Sequence, residues 1–260
     1  MIIDVSDPAD PRLADFVGLR DAQLRRSEDR FIAEGLKIIE RAFAAGAPPR
    51  SLLLQPRWLD GVLPLLTRFP DVPVYVGTEA MIEEVSGFHV HRGALGSFDR
   101  PAEATWEALL GARRLLVCEE IVDHANIGAI MRVAAGLGWD GVLVSPGSAD
   151  PLYRRAIKSS MGASLELPWR RMGGAADLAR LREAGFTVVA STISPRAVDV
   201  DAFEAPEKVA LLLGTEGAGL SREWLAAAGA HVRIPMTDRV DSLNVATAAA
   251  ILAHSLRQRG

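Results

Sequence analysis

Between Asp241 and Leu252 the chain reads DSLNVATAAAIL, with Ser242 and Asn244 standing where a polar turn enters a helix. Their side-chain oxygens can accept hydrogen bonds from the unpaired amides of a first helical turn, so capping alone would account for both. Arg132 is a second candidate, because it is the only charged residue from Ile127 to Trp139. A helix apolar nearly all round is expected to be buried, and a guanidinium on it must be paired or line a cleft. Ile127, Ile130, Ala134 and Leu137 mark one packing face; Arg132, two positions after Ile130, points about 200° round the helix from it at ~100° per residue. An ion pair with Glu216 or Asp123 and a place in a cleft both remain open. Two glycine clusters follow different logic. GLGWDG, residues 136–141, fits G-x-G-x-x-G, yet it closes a helix and leads into a strand, so it reads as a C-cap and turn rather than a dinucleotide site. LLLGTEGAGLS, residues 211–221, does follow a strand, and its glycines would let backbone approach a ligand closely or simply turn the chain.

These residues need elements to hold them. In the second half the pattern predicts strands at residues 115–119, 141–145, 187–191, 209–213 and 232–235. Helices are expected at 127–137, around 175–184 and after Asn244. Strands separated by helices argue a mostly parallel sheet with both faces covered, an α/β fold. The first half alternates in the same way, with helices at 31–46 and 57–69 and strands at 51–55 and 72–77, which makes a small α/β unit of its own. Gly, Pro and charge mix near 97–104. The expected organisation is therefore a front domain at residues 1–100, a linker region at 101–112 and a second domain at 113–260.

Composition sets limits on what these domains can be. The 260 residues are 49% hydrophobic, ample for a core, and a net charge of −4 means that any contact with nucleic acid must be local. Cys118 is the single cysteine, so disulfide frameworks and CxxC metal sites are excluded. His124 reads as a loop histidine, and His89, His91, His231 and His254 show no ligand spacing, so no metal is expected. The opening MIIDVSDPADPRL has acids and prolines where a signal peptide needs a basic region and an apolar run, and no stretch approaches ~20 apolar residues. A cytoplasmic protein without membrane contact is expected.

Three segments in this order, DHANIGAIMRVAAGLGWDGVLVSP, LLLGTEGAGLS and VRIPMTDRVDSLNVATAAAILAHSL, resemble the motifs of the SpoU/TrmH family of RNA ribose 2′-O-methyltransferases, members of the SPOUT superfamily. The likeness covers residues 115–256. FIAEGLKIIERAFAAG and HRGALGSFDRP resemble the small front domain, of ribosomal protein L30e type, with which many members bind RNA. One departure is DHAN, which replaces the usual proline-containing approach to the asparagine.

The resemblance implies a parallel sheet flanked by helices with a C-terminal trefoil knot, and an enzyme that uses S-adenosylmethionine and no metal. It implies catalytic roles for Asn126, Arg132, Glu216, Ser242 and Asn244, and cofactor contacts at Gly214, Ile234, Met236, Leu243 and Asn244. It also implies a homodimer formed through the last helix, whose alanines would otherwise pack inside a monomer. Ribosomal (23S) RNA is the expected substrate, with transfer RNA or a non-catalytic RNA-binding role as alternatives. An RNA enzyme needs a basic surface, and Arg154, Arg155, Lys158, Arg170 and Arg171, with Tyr153 as a stacking face, are the candidates; a merely solvated basic face is the other reading. Arg25, Arg26 and Arg30 form a weaker second group.

Overall fold

The structure, a computed structural model, describes residues 1–19, 29–90 and 93–257, so Arg25, Arg26 and His91 lie outside the described residues. The chain forms two compact units. One comprises Met1–Ala102 together with Leu152–Lys158, the other Glu103–Pro151 with Ser159–Gly260.

The first unit is built on a mixed sheet of strands β1 (Ile2–Asp4), β2 (Arg30–Glu34), β3 (Pro49–Leu54), β4 (Val74–Val76) and β5 (Ala94–Asp99), in the order β1-β4-β3-β5-β2. Helices α1 (Leu36–Ala44), α2 (Leu59–Val62) and α3 (Glu79–Ser86) accompany it. The helix expected over 31–46 begins instead as β2. Phe31, Ile32 and Ala33 are all buried, as suits a strand covered on both faces, and Gly35 at φ +90° breaks the chain before α1. The helix expected over 57–69 is divided between α2 and two flanking 3-10 turns, because Pro64 has no amide to offer the next turn. Ser97, placed by composition in a linker, is fully buried in β5 and donates to Asp15 Oδ2 at 2.7 Å.

The second unit holds a seven-stranded sheet made of β6 (Arg114–Cys118), β7 (Gly141–Val144), β8 (Trp169–Arg171), β9 (Thr187–Ser191), β10 (Val198–Asp199), β11 (Val209–Leu213) and β12 (Ala230–Arg233). Their order is β10-β12-β9-β11-β6-β7-β8, and every pairing is parallel. Its helices are α4 (Trp106–Leu110), α5 (His124–Gly136), α7 (Leu178–Glu183), α8 (Arg222–Ala227) and α9 (Val245–Ser255), whereas α6 (Arg154–Ser159) falls almost wholly within the first unit. The fold is thus α/β, as the alternation of strands and helices requires. One face of the sheet is covered by a core in which Leu115, Val117, Val188 and Leu212 meet Leu181 and Trp224. Helices α5 and α9 pack against each other, and Trp139 Nε1 donates to Ala253 O at 3.1 Å. Sequence patterning passed over β8, β10, α6 and α8, each six residues or fewer and too short for a periodicity to register. Among the described residues no helix is long and apolar enough to cross a membrane.

Cys118 closes β6 in full burial, which pushes its thiol up to about 12 from an ordinary value near 9. The folded protein favours the neutral thiol, so this contribution to stability is complete below pH ~9 and is lost as pH rises toward 12. At pH 8 we expect maleimide to label Cys118 only as fast as the protein opens, with the rate climbing in urea. Labelling of the native protein within seconds would contradict the burial.

Candidate active site

The carboxyl ends of three adjacent parallel strands, β12, β9 and β11, point to the same edge of the second unit, the usual place for a ligand in such sheets. A cleft opens there. Its floor is Leu213, Leu220, Val232 and Leu252, and its rim is formed by Ser191–Ile193, the loop 214–220 and the segment around Ile234, Met236, Ser242 and Leu243. Of the expected cofactor residues, Gly214, Ile234, Met236 and Leu243 all line this cleft. The 191–193 wall was not anticipated. Its signal was present, since a strand at 187–191 parallel to its neighbours must end on the same side as they do.

The loop 214–220 doubles back on itself through paired hydrogen bonds between Thr215 and Gly219, at 3.2 and 3.0 Å. Gly214 is required by proximity, because a Cβ built on it would lie 2.3 Å from Gly219 C and Leu220 N. Gly217 and Gly219 are required by conformation, with φ of +87° and +70°.

The tip of this loop brings the three motifs together. Asn126 Nδ2 donates to Glu216 Oε1 at 2.6 Å, Asn244 Nδ2 donates to the same oxygen at 2.9 Å, and Asn244 Nδ2 also reaches Asn126 Oδ1 at 3.0 Å. Two helix starts hold the amides in place. Asp123 caps α5 by accepting from Asn126 N at 2.9 Å, and Asn244 caps α9 by accepting from Ala246 N at 2.9 Å and Thr247 N at 3.3 Å. With its Oδ1 committed to the helix, Asn244 must turn its NH2 group toward Glu216. Capping and site geometry are therefore one arrangement. Ser242, expected to share the capping, instead lies exposed on the cleft rim.

Arg132 is not part of this cluster. Six residues after Asn126 it lies ~9 Å farther along α5 and ~240° round it. Its side chain is exposed, and among the described residues no hydrogen bond or ion pair engages it, so neither Glu216 nor Asp123 is its partner. It borders an apolar groove between α5 and α9, with Ala129, Val133, Ala250, Ile251 and His254.

The basic residues are mostly engaged. Within the first unit, the carboxylate of Glu34, buried, takes Arg154 on one oxygen and Lys158 Nζ at 2.7 Å on the other, while the Arg154 guanidinium lies 4.0 Å from the Phe88 ring centre. In the second unit Arg170 Nη1 donates to Ala104 O at 2.9 Å, and Arg171 Nη1 to Ser145 O at 2.8 Å and Ser148 O at 2.9 Å. The Arg155 side chain is exposed. Arg30 and Arg50 share the carboxylates of Asp15 and Asp29.

Comparison with known proteins follows this division. The SpoU rRNA Methylase family matches residues 113–254, and the MRM3-like substrate binding domain matches residues 10–93. An uncharacterized tRNA/rRNA methyltransferase of Mycobacterium tuberculosis is 38% identical over 266 residues, covering 99% of this chain and 92% of the relative. The Bacillus subtilis 23S rRNA (guanosine(2553)-2′-O)-methyltransferase RlmP is 25% identical over 251 residues, covering 95% of this chain and 96% of that one. Among solved structures, an AdoMet-bound rRNA methyltransferase from Sinorhizobium meliloti superposes with a TM-score of 0.84 at 26% identity, covering 98% of this chain and 97% of that one.

Proposed function

Since the chain belongs to the SpoU rRNA methylase family and is an RNA methyltransferase of that family, we propose that it uses S-adenosylmethionine to methylate a ribose 2′-hydroxyl, most fittingly in 23S ribosomal RNA. The observation that carries this reading is the meeting of Asn126, Glu216 and Asn244 at the mouth of the cleft. The cleft suits the cofactor: its apolar floor matches a purine face, and the loop 214–220 and Ile234–Met236 offer backbone polar groups along the rim. When bound, S-adenosylmethionine supplies a methyl group on a sulfonium centre. Gly214, Ile234, Met236 and Leu243 would hold it, with Asn244 beside them.

The protein's own part is to place a weak nucleophile and assist the loss of its proton. Asn126 and Asn244 fix Glu216 by its Oε1, which leaves Oε2 to accept a hydrogen bond from the ribose hydroxyl. Ser242 on the rim is placed to donate to the sugar–phosphate backbone. Arg132 grips a phosphate with its planar fork. Because Arg132 faces away from the trio of its own subunit, it serves the site of a second copy. The α5–α9 groove supports that arrangement. Ala249 and Ala253 are buried in the protomer, whereas Ala250 and Ile251 face the groove, where another backbone could approach closely. Of the basic residues at 154–171, Arg155 and Lys158 have exposed side chains and are the candidates for RNA contact. The trefoil-knotted threading and a cytoplasmic location belong to the same reading.

Calorimetric titration should give S-adenosylmethionine binding of at least micromolar affinity, about −8 kcal/mol. Mapping 2′-O-methylation across all RNA in cells with and without the gene should reveal one lost site in ribosomal RNA. A lost site in transfer RNA would move the substrate, and no lost site together with no heat of binding would overturn the reading. For the dimer, Ile251→Arg should shift the protein to a monomer in sedimentation velocity and lower methyl transfer with cofactor affinity retained; a variant that sediments as wild type would argue for another interface.

A further inference from the structure

Strand β6 ends in two successive acids that serve different loops. Glu120 adopts φ +51°, uncommon for a residue with a side chain, and its Oε1 accepts from Ser145 Oγ at 2.8 Å and Gly147 N at 3.2 Å, so its geometry is set by the loop after β7. Glu119 is only 4% exposed, and no ion pair engages it among the described residues. Its backbone N–H donates to Leu213 O at 2.8 Å, and its side-chain Oε2 accepts from Ser221 N at 2.8 Å. Leu213 is the residue before the loop 214–220 and Ser221 the residue after it. One residue thus holds both legs of the loop whose tip carries Glu216.

A buried carboxylate is a costly acceptor for a single amide, which a neutral side chain could also satisfy, so its location at the neck of this loop calls for a reason. The chain that leaves β6 at Glu119 reaches Asn126, in the first turn of α5, seven residues later. Glu119 therefore references the loop to the same strand end that leads to its partner in the trio. We infer that Glu119 is a positioning residue: by holding Leu213 and Ser221 it sets the height of the 214–220 loop, and with it the wall of the cofactor cleft and the meeting of Glu216 with Asn126 and Asn244. The inference rests on the function proposed above only for its kinetic consequence.

The test compares Glu119→Met, which keeps volume but cannot accept, with Glu119→Gln, which can. In the ligand-free protein, amide exchange at Ser221 and through residues 214–220 should accelerate about tenfold in the Met variant and stay near wild type in the Gln variant, with exchange in β9 unchanged in both. In the enzyme, the KM for S-adenosylmethionine should rise about tenfold in the Met variant and kcat should fall with it as the trio loosens, while the Gln variant keeps both near wild type; a mere loss of folded protein would lower kcat and leave KM alone. If Glu119→Met does not fold, Ser221→Pro removes the donor at a residue whose φ of −65° proline can adopt, with Ser221→Ala as the control for the lost hydroxyl. Equal exchange and equal KM in the acceptor-retaining and acceptor-lacking variants would overturn the inference. Wild-type protein that neither binds the cofactor nor transfers methyl would overturn the proposed function instead, while the exchange experiment still decides the role of Glu119.

Discussion

Arg132→Ala and Arg132→Lys should both fold, dimerise and bind S-adenosylmethionine, yet lose at least ~100-fold in methyl transfer, about 2.7 kcal/mol of transition-state stabilisation. Folding should survive because the side chain is exposed and no hydrogen bond or ion pair of the described residues depends on it. The lysine variant should fail with the alanine one, because an ammonium is a point charge that cannot present two parallel donors to a phosphate. Location adds a sharper test. If Arg132 acts on the partner's site, then mixing Arg132→Ala with Asn126→Ala subunits should restore activity that neither has alone, since a mixed dimer contains one site with both residues intact. No recovery on mixing would return Arg132 to its own subunit, and an unfolded alanine variant beside a fully active lysine one would make it a structural residue.

Gly214→Ala should be the most damaging single methyl group in the second unit. The added carbon would sit 2.3 Å from Gly219 C and Leu220 N and 2.6 Å from Gly219 O, all backbone atoms within a loop tied by its own hydrogen bonds. Overpacking of this kind costs about 1–3 kcal/mol when neighbours can yield. Here the yielding part is the wall of the cleft. We expect cofactor affinity to fall at least ~100-fold, about 2.7 kcal/mol, with a lowered melting temperature. Gly217→Ala is the companion measurement: its Cβ meets nothing within 4 Å, and only the φ of +87° opposes it, at about 1–2 kcal/mol. If Gly214→Ala titrates with the cofactor like wild type, the loop is not the wall.

Much of the second unit was legible in the sequence because its strands are continuous apolar runs, as at Thr187–Ser191 and Val209–Leu213, which occur as expected. Asn244 was legible as a polar residue at a helix start, whereas Asn126 and the site role of Glu216 were marked only by the resemblance to the family's motifs. What failed to show were facts that depend on distant partners. Arg154 and Lys158 look like a solvated basic run until Glu34, more than a hundred residues earlier, is found between them. Arg132 was correctly directed away from the packing face of α5, but periodicity cannot say that this other face is open. Glu119 offered one unread hint, an acid ending a strand too apolar to leave it in water. In the first unit, Phe31–Glu34 reads as helix because residue types alone do not reveal that the backbone at Gly35 turns to φ +90°.

The segment Leu152–Lys158 makes the two units poor candidates for modular exchange. Leu152, Tyr153, Ala156 and Ile157 are buried, at 2%, 7%, 0% and 1% exposure, and they cluster with the first unit although the chain supplies them from the midst of the second. Deleting residues 1–102 would remove the rest of the unit to which these four side chains belong and would leave Arg154 and Lys158 without Glu34. A trimmed enzyme would inherit a sticky patch as well as lose a binding domain. Grafting a different front domain should succeed only if the 152–158 segment were recoded to match it.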